Sequence, residues 1–493
     1  MKALISTRPR RAAVALSVWL IATVLMATIS MQMEQPGLAH LETGELMKRL
    51  VVVPGLAALV VFLFSTAAMH SAQAALVQEP AGMAARTAED QNKPFVAQVV
   101  GMIWLNPLQR MDYPTEWQLL WTQGFVKPNK NDDMVRTKPE KYSSLRSIGA
   151  LVYGNDGEET FKGFYHKYVD KFPRLMSRRY AMNAKYFYSV GADDRHDWRE
   201  LAGIRIEGAV PERLDPVIAH DYLKNSIEET FFIGNRYFPT MWSRDTPPDV
   251  HITQGGANAG FTSLNNALDY LQQNPDKSVW AMNWDAPNFP PTDAQINENL
   301  VVLFLAGPNF NTEREPLAWI GKAAVGNTQA FSRKVGTTRA VQAWKATIDE
   351  AARNGGVAVT DLDYIVHDAG APSDASSSRL VSLAQTLTES IPEYDHRKQT
   401  FNTAALLGDM GTGSALTNVA LAIGRINHFG GNALVAGTTD PDHPVAIVVR
   451  PPSKLTAIDP DKDWFRARGG NNAYLPWWGR RYDVDYGMQG YSW

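Results

Sequence analysis

From Phe401 onward an apolar run meets the turn Gly408-Asp409-Met410-Gly411-Thr412-Gly413, and behind it Leu416, Val419, Ala420 and Ile423 fall at helical spacing. This pattern predicts a strand, a tight turn and a buried helix, ending near Asn427. Glycines let the backbone approach its neighbours closely or take positive φ, and the helix start behind them carries free N–H groups and partial positive charge. The turn can therefore hold a site.

A second stretch has the same order. Val250 to Tyr270 runs from strand text into Gly255-Gly256-Ala257-Asn258-Ala259-Gly260, and Leu264, Ala267, Leu268 and Leu271 then mark a helix face. Its G-x-N-x-G segment occupies a strand-to-helix elbow, the setting in which a G-x-S-x-G hydrolase presents its serine. Asn258 stands at the centre and can donate a hydrogen bond, but it cannot attack a carbonyl.

Between and around these units, further elements are legible. Phe95 to Leu105, Ser278 to Asp285 and Asn299 to Gly307 read as strands, the last apolar on both faces as in a sheet covered on both sides. Ser147 to Tyr153, the turn Gly154 to Gly157 and Glu158 to Lys171 again give strand, turn and helix. Arg178 to Arg199 reads as a solvated helix and loop, and Phe231 to Ile233 as a short apolar run. Ala340, Trp344, Ile348 and Ala351 line one side of a helix within Ser332 to Arg353. Val357 to Val366 gives strand text ending at His367, Asp374 to Ser390 is helical, and Ala433–Ala436 with Pro444–Arg450 form a closing strand pair.

The N-terminus differs from the body. Ala12 to Ser30 is apolar almost throughout, enough helix to cross a hydrocarbon core of roughly 30 Å. Lys2, Arg8, Arg10 and Arg11 precede it and place the N-terminus in the cytoplasm. A second apolar run, Leu50 to Met69, completes a transmembrane helical hairpin. The competing reading starts at Met47: Lys48-Arg49, an apolar stretch to Phe64 and Ser71-Ala72-Gln73-Ala74 resemble a secretory signal, which would place the body in the periplasm. Ala75 to Gln91 reads as a tether.

At 493 residues the chain is long enough for two globular units. Its net charge of −3 comes with no basic stripe, so nucleic acid is not an expected partner. The lack of cysteine excludes thiolate catalysis, and scattered histidines give no zinc motif; no metal or cofactor is expected. Trp104, Trp117 and Trp121 read as packing residues or as an aromatic binding groove. The aromatic-rich tail from Lys454, with Trp464, Trp477 and Trp478, reads as folding back on the body or as a partner surface.

The two elbow units and the strand near His367 resemble the thiolase and ketoacyl-synthase fold. Asp361-Leu-Asp-Tyr-Ile-Val-His-Asp-Ala-Gly is similar to the synthase strand that ends in His-Gly-Thr-Gly. Leu407-Gly-Asp-Met-Gly-Thr-Gly-Ser-Ala is similar to the later Ile-Gly-His segment. The resemblance implies a thiolase-like layered α/β/α body with mixed sheets. It sets Ala257 where the family has its cysteine, and Asp368 and Asp409 where it has two histidines. His367 comes one residue early and, by strand alternation, faces away. An alanine has no nucleophile, and two carboxylates oppose a developing oxyanion, so the catalytic positions are degenerate.

The run Trp104-Leu-Asn-Pro-Leu-Gln-Arg-Met-Asp-Tyr-Pro-Thr-Glu-Trp-Gln-Leu-Leu-Trp, with Val126-Lys-Pro-Asn-Lys-Asn-Asp-Asp-Met-Val after it, resembles the N-terminal region of the type VI secretion lipase adapter family. That resemblance implies a bacterial, non-enzymatic adapter that binds a lipase effector and hands it to a VgrG-type spike. Meeting the spike requires a cytoplasmic body held at the inner membrane, which favours the hairpin. The implied organisation is a membrane hairpin over 1–75, a tether over 76–92, an N-terminal adapter domain over 93–330, a C-terminal thiolase-like half over 331–455 and an aromatic tail over 456–493. Trp104, Trp117, Trp121, Trp477 and Trp478 are the candidate partner-binding residues. Two alternatives remain: an acyl-processing enzyme using Ser414, Asp409 and His367, and a membrane-anchored periplasmic binding protein.

Overall fold

A computed structural model describes residues 94–105, 115–126, 203–230, 247–285, 299–310, 315–370 and 373–457. The chain divides into two units, Met1–Asn92 and Lys93–Trp493, and every described residue belongs to the second. The apolar runs at Ala12–Ser30 and Leu50–Met69, the tether, the stretches 147–171, 178–199 and 231–233, the Trp117 side chain and the tail with Trp477 and Trp478 lie outside the described residues. Among the described residues no helix is long and apolar enough to cross a membrane.

The strands are β1 (Ala97–Leu105), β2 (Arg205–Val210), β3 (Asp249–Gln254), β4 (Ser278–Asp285), β5 (Asn299–Ala306), β6 (Ala318–Ile320), β7 (Ala324–Val325), β8 (Leu362–His367), β9 (Thr400–Asn402), β10 (Asn432–Gly437) and β11 (Val445–Arg450). The helices are α1 (Thr115–Thr122), α2 (Pro216–Thr230), α3 (Ala259–Gln273), α4 (Arg339–Gly355), α5 (Asp374–Ser390), α6 (His396–Gln399), α7 (Thr403–Leu407) and α8 (Ser414–Phe429). The strands join one mixed sheet in the order β3-β2-β4-β5-β1-β6-β11-β10-β8-β9, with β7 beside β11. β2 runs parallel to β3 and β4, and β8 runs parallel to β10 and β9, so each half of the sheet has its own parallel core.

β1 couples the halves. It pairs antiparallel with β5 along Gln98 to Leu105 and with β6 along Ala97 to Val99. A register shift between Val99 and Gly101 changes which parity faces inward, so Ala97 and Val99, then Met102 and Trp104, all enter one core.

That core holds α3 and α8. Leu264, Ala267, Leu268 and Leu271 of α3 and Leu416, Val419, Ala420 and Ile423 of α8 pack with Val301, Leu303 and Leu305 of β5 and with Val435 and Ile447 of β10 and β11. α8 is buried along nearly its whole length, as its all-round apolar sequence requires. On the far face of the second half-sheet, Trp344, Ile348 and Ala351 of α4 and Leu383 and Leu387 of α5 cover Ile365, Leu434, Ala436 and Val448. The described body is thus a layered α/β structure with a mixed sheet.

Local signals set the helix ends. Thr338 accepts the Val341 N–H at 3.1 Å to open α4, and Gly356 closes it at φ 69°. Ser373 and Ser376 cap α5 reciprocally, at 3.1 and 2.9 Å.

Two sequence expectations are corrected. The strand expected from Phe401 onward is only three residues, Thr400–Asn402, and Thr403–Leu407 forms α7. Ala404, Ala405, Leu406 and Leu407 are strong helix formers, and Asn402 ends the pairing by exchanging hydrogen bonds with Gly370 instead. Likewise Val359–Asp361 is a 3-10 turn, and β8 begins at Leu362.

Candidate functional site: a fastened strand-end cluster

The C-terminal ends of the parallel strands meet the glycine turns. β3 ends at Gln254, the elbow comes next, and Ala257, half-buried, precedes α3. Asn258 makes no side-chain cap to that helix. Its Oδ1 is buried without a hydrogen-bond partner, and it lies where β10 ends: a Cβ at Gly437 would come within 2.6 Å of it. Glycine at 437 is what lets the two halves close to this distance.

Beside Gly437, Thr438 donates both its N–H and its hydroxyl to Asp368 Oδ1, each at 2.8 Å. Asp368 is buried, and its Oδ2 has no partner. Burial raises its carboxyl pKa, opposed by the bonds from Thr438.

Thr412 carries most of the fastening from the late turn. Its N–H donates to Asp285 Oδ2 at 2.9 Å, its hydroxyl to the Gly255 carbonyl at 2.5 Å, and its carbonyl accepts from Asn283 Nδ2 at 3.1 Å. Arg213 pairs with the other oxygen of Asp285 at 2.9 Å. These contacts tie residues far apart in sequence, so no local pattern announces them; a hydroxyl inside the glycine turn is the one sequence trace.

Asp409 is exposed and accepts the Gly411 N–H at 2.8 Å, closing its own turn. Ser414 is buried at the first position of α8 and does not cap it. His367 shares the strand parity of Ile365, which packs against α4 and α5, whereas Tyr364 and Val366 face the α3 and α8 core. The grouping of Ser414, Asp409 and His367 into one site is therefore corrected: Ser414 belongs to the helix on one face of β8, and His367 points to the other. Strand alternation places His367 properly.

Trp104 is fully buried and Trp121 nearly so, both in the core around α3 and α8. They sit as packing residues. Among the described residues there is no group of three or more His, Asp or Glu side chains placed to hold a metal ion. The side chain at 257 is a methyl group, Asp368 joins the ends of β8 and β10 through Thr438, and Asp409 closes its own turn.

His367 gives a pH prediction. Its Nδ1 accepts the Ala369 N–H at 3.3 Å, and burial, aided by His396 stacked at 6.4 Å, lowers its pKa to about 3. Below the ordinary value of 6.5 the unfolded chain takes up a proton that the folded chain refuses, so stability falls with pH by up to about 1.4 kcal/mol per unit until about pH 3. Asp368 acts oppositely, because a raised carboxyl pKa restores stability as pH falls through it. In urea unfolding at pH 7 and pH 5, His367→Gln is expected to lose about 2 kcal/mol less than the parent chain. An equal loss in both would contradict the buried, neutral imidazole.

The fold and cluster define a layered α/β body in which two strand–glycine–helix units face one another at their strand ends. Residues 324–451 match the family described as type VI lipase adapter protein Tla3, C-terminal. The match spans β7 to β11 and so includes Asp368, Asp409 and Gly437 but not the elbow at Ala257. It lies in a different part of the chain from the N-terminal run, Trp104 to Val135, that resembles that family.

Solved structures also align. An oxazolomycin ketosynthase domain, OzmH KS8, of Streptomyces albus is 13% identical over 76% of this chain and 100% of its own, with a TM-score of 0.44. A ketosynthase from the bacillaene synthase of Bacillus subtilis is 9% identical over 72% of each chain, with a TM-score of 0.47. The peroxisomal 3-ketoacyl-CoA thiolase of Saccharomyces cerevisiae is 11% identical over 62% of this chain and 95% of its own, with a TM-score of 0.40. No curated protein matches the chain.

Proposed function

We propose that the protein is a non-enzymatic adapter that binds a type VI lipase effector and delivers it to a VgrG-type spike for export. The observation that carries this reading is the family match over residues 324–451. The sequence resemblance supports it by setting Ala257, Asp368 and Asp409 where a thiolase-like enzyme has a thiol and two proton-managing groups, and Asp368 is bonded to Thr438. The acyl-processing alternative needs Ser414 and His367 together, and their positions toward opposite faces of β8 count against it.

The body works in the cytoplasm of the producing cell, tethered to the inner membrane by the hairpin over 1–75. Cleavage after a signal starting at Met47, with a periplasmic body, is the competing topology. Membrane fractionation of a chain tagged at both ends separates them, since only the hairpin retains the N-terminal tag on the full-length protein.

Co-purification tests the adapter role. The full chain, co-expressed with a type VI lipase effector and a VgrG-type protein from the same cell, is expected to retain the lipase through a high-salt wash and to bring the spike with it. Loss of the lipase from the washed complex would overturn the proposal.

A further inference from the structure

Three of the exposed large apolar side chains among the described residues gather at one place. Phe125, just after α1, is 37% exposed; Phe429, ending α8, and Leu455 are each 43% exposed. The Phe125 and Phe429 rings lie 4.8 Å apart, and Phe125 also meets the Tyr364 ring at 5.9 Å. Arg425 spans the patch from beneath, its guanidinium 5.0 Å from the Tyr364 ring and 5.7 Å from that of Phe429. Aromatic rings around an arginine are the composition of a contact surface rather than of a solvated one.

The chain itself leads onto this patch. Thr456 donates its N–H to the Asn427 carbonyl at 2.9 Å, and its carbonyl meets His428 Nδ1 at 2.9 Å. Leu455 rests on Gly430, its Cδ1 3.3 Å from where a Cβ would stand. The first residues of the C-terminal segment are therefore pinned to the end of α8, beside Phe429. The remainder of that segment, 458–493, contains Trp464, Phe465, Trp477, Trp478 and further tyrosines, far above the 10% aromatic content of the chain.

We infer that the Phe125–Phe429–Leu455 patch is a docking surface for this chain's own C-terminal segment, 458–493, whose aromatic residues continue along it from Thr456. The short connection keeps the segment at high effective concentration beside the patch, so an intramolecular contact outcompetes a free partner of similar chemistry. This inference does not depend on the adapter reading.

A photo-crosslink in the full chain tests it, with no effector present. p-Benzoyl-phenylalanine placed at Phe429 is expected to crosslink, on mapping by mass spectrometry, to residues 458–493 of the same molecule. The same probe at Val335, which is fully exposed elsewhere, is expected not to do so. Trp477→Ala with Trp478→Ala is expected to lower the Phe429 crosslink at least fivefold while unfolding stays cooperative. Crosslinks at Phe429 to a second copy, or none to 458–493, would overturn the inference.

Discussion

Trp104→Ala is expected to lower folding stability by about 3–5 kcal/mol, with little direct effect on partner recognition. The indole is fully buried in the core that joins β1 and β5 to α8, and it lies opposite Val301 in the β1–β5 register. Removing it leaves a cavity in a layer packed from both sides, where neighbours cannot collapse without moving a strand. Its Nε1 has no hydrogen-bond partner, so Trp104→Phe sacrifices volume but no bond and is expected to cost less than half as much. Urea unfolding of the three proteins checks this. A Trp104→Ala chain with parental stability and weakened lipase binding would instead make Trp104 a surface anchor.

A comparable loss is expected from one methyl group at the elbow. A Cβ at Gly260 would stand 2.8 Å from the Ala415 Cβ and 3.0 Å from Asn283 Nδ2. Ala415 belongs to α8 and its Cβ cannot swing aside, so α3 and α8 must separate to admit the methyl. Overpacking of this kind costs about 1–3 kcal/mol, and here the displaced Asn283 would also strain its bond to the Thr412 carbonyl. Gly260→Ala is expected at the upper end of that range. Gly256→Ala, four residues earlier with nothing within 4 Å of its Cβ, is expected to change stability by less than about 0.5 kcal/mol. Equal denaturation midpoints for the two variants would show that α3 and α8 do not meet this closely.

The contrast between these glycines marks what the sequence can reveal. The elbow, α3 and the strands β4 and β5 are readable because their apolar spacing is local and strong: Leu264, Ala267, Leu268 and Leu271 repeat at helical period, and β5 is buried on both faces. Strand alternation alone sets Val366 and His367 on opposite faces of β8. Alternation does not reveal α7, since the apolar run of Thr403–Leu407 fits helix and strand equally and the tertiary setting decides.

The candidate site is half legible. Ala257 and Asp368 stand out in the sequence, and the structure places them at the strand ends of the two halves, whereas Asp409 serves its own turn. Thr412, Asp285 and Arg213 carry no such signal, because their roles arise only when residues 127 positions apart, as in the Thr412–Asp285 bond, are brought together by the sheet. A hydrogen bond between distant segments leaves no period in either one.

Export of the lipase effector from producing cells tests the central claim most directly. In cells lacking this chain the lipase is expected to remain inside while other type VI cargo is still released, and the full chain supplied in trans restores export. A chain carrying Ala257→Ser, which adds a hydroxyl at the elbow, is expected under the proposed adapter role to restore it equally. Undiminished lipase export without the chain would contradict the account.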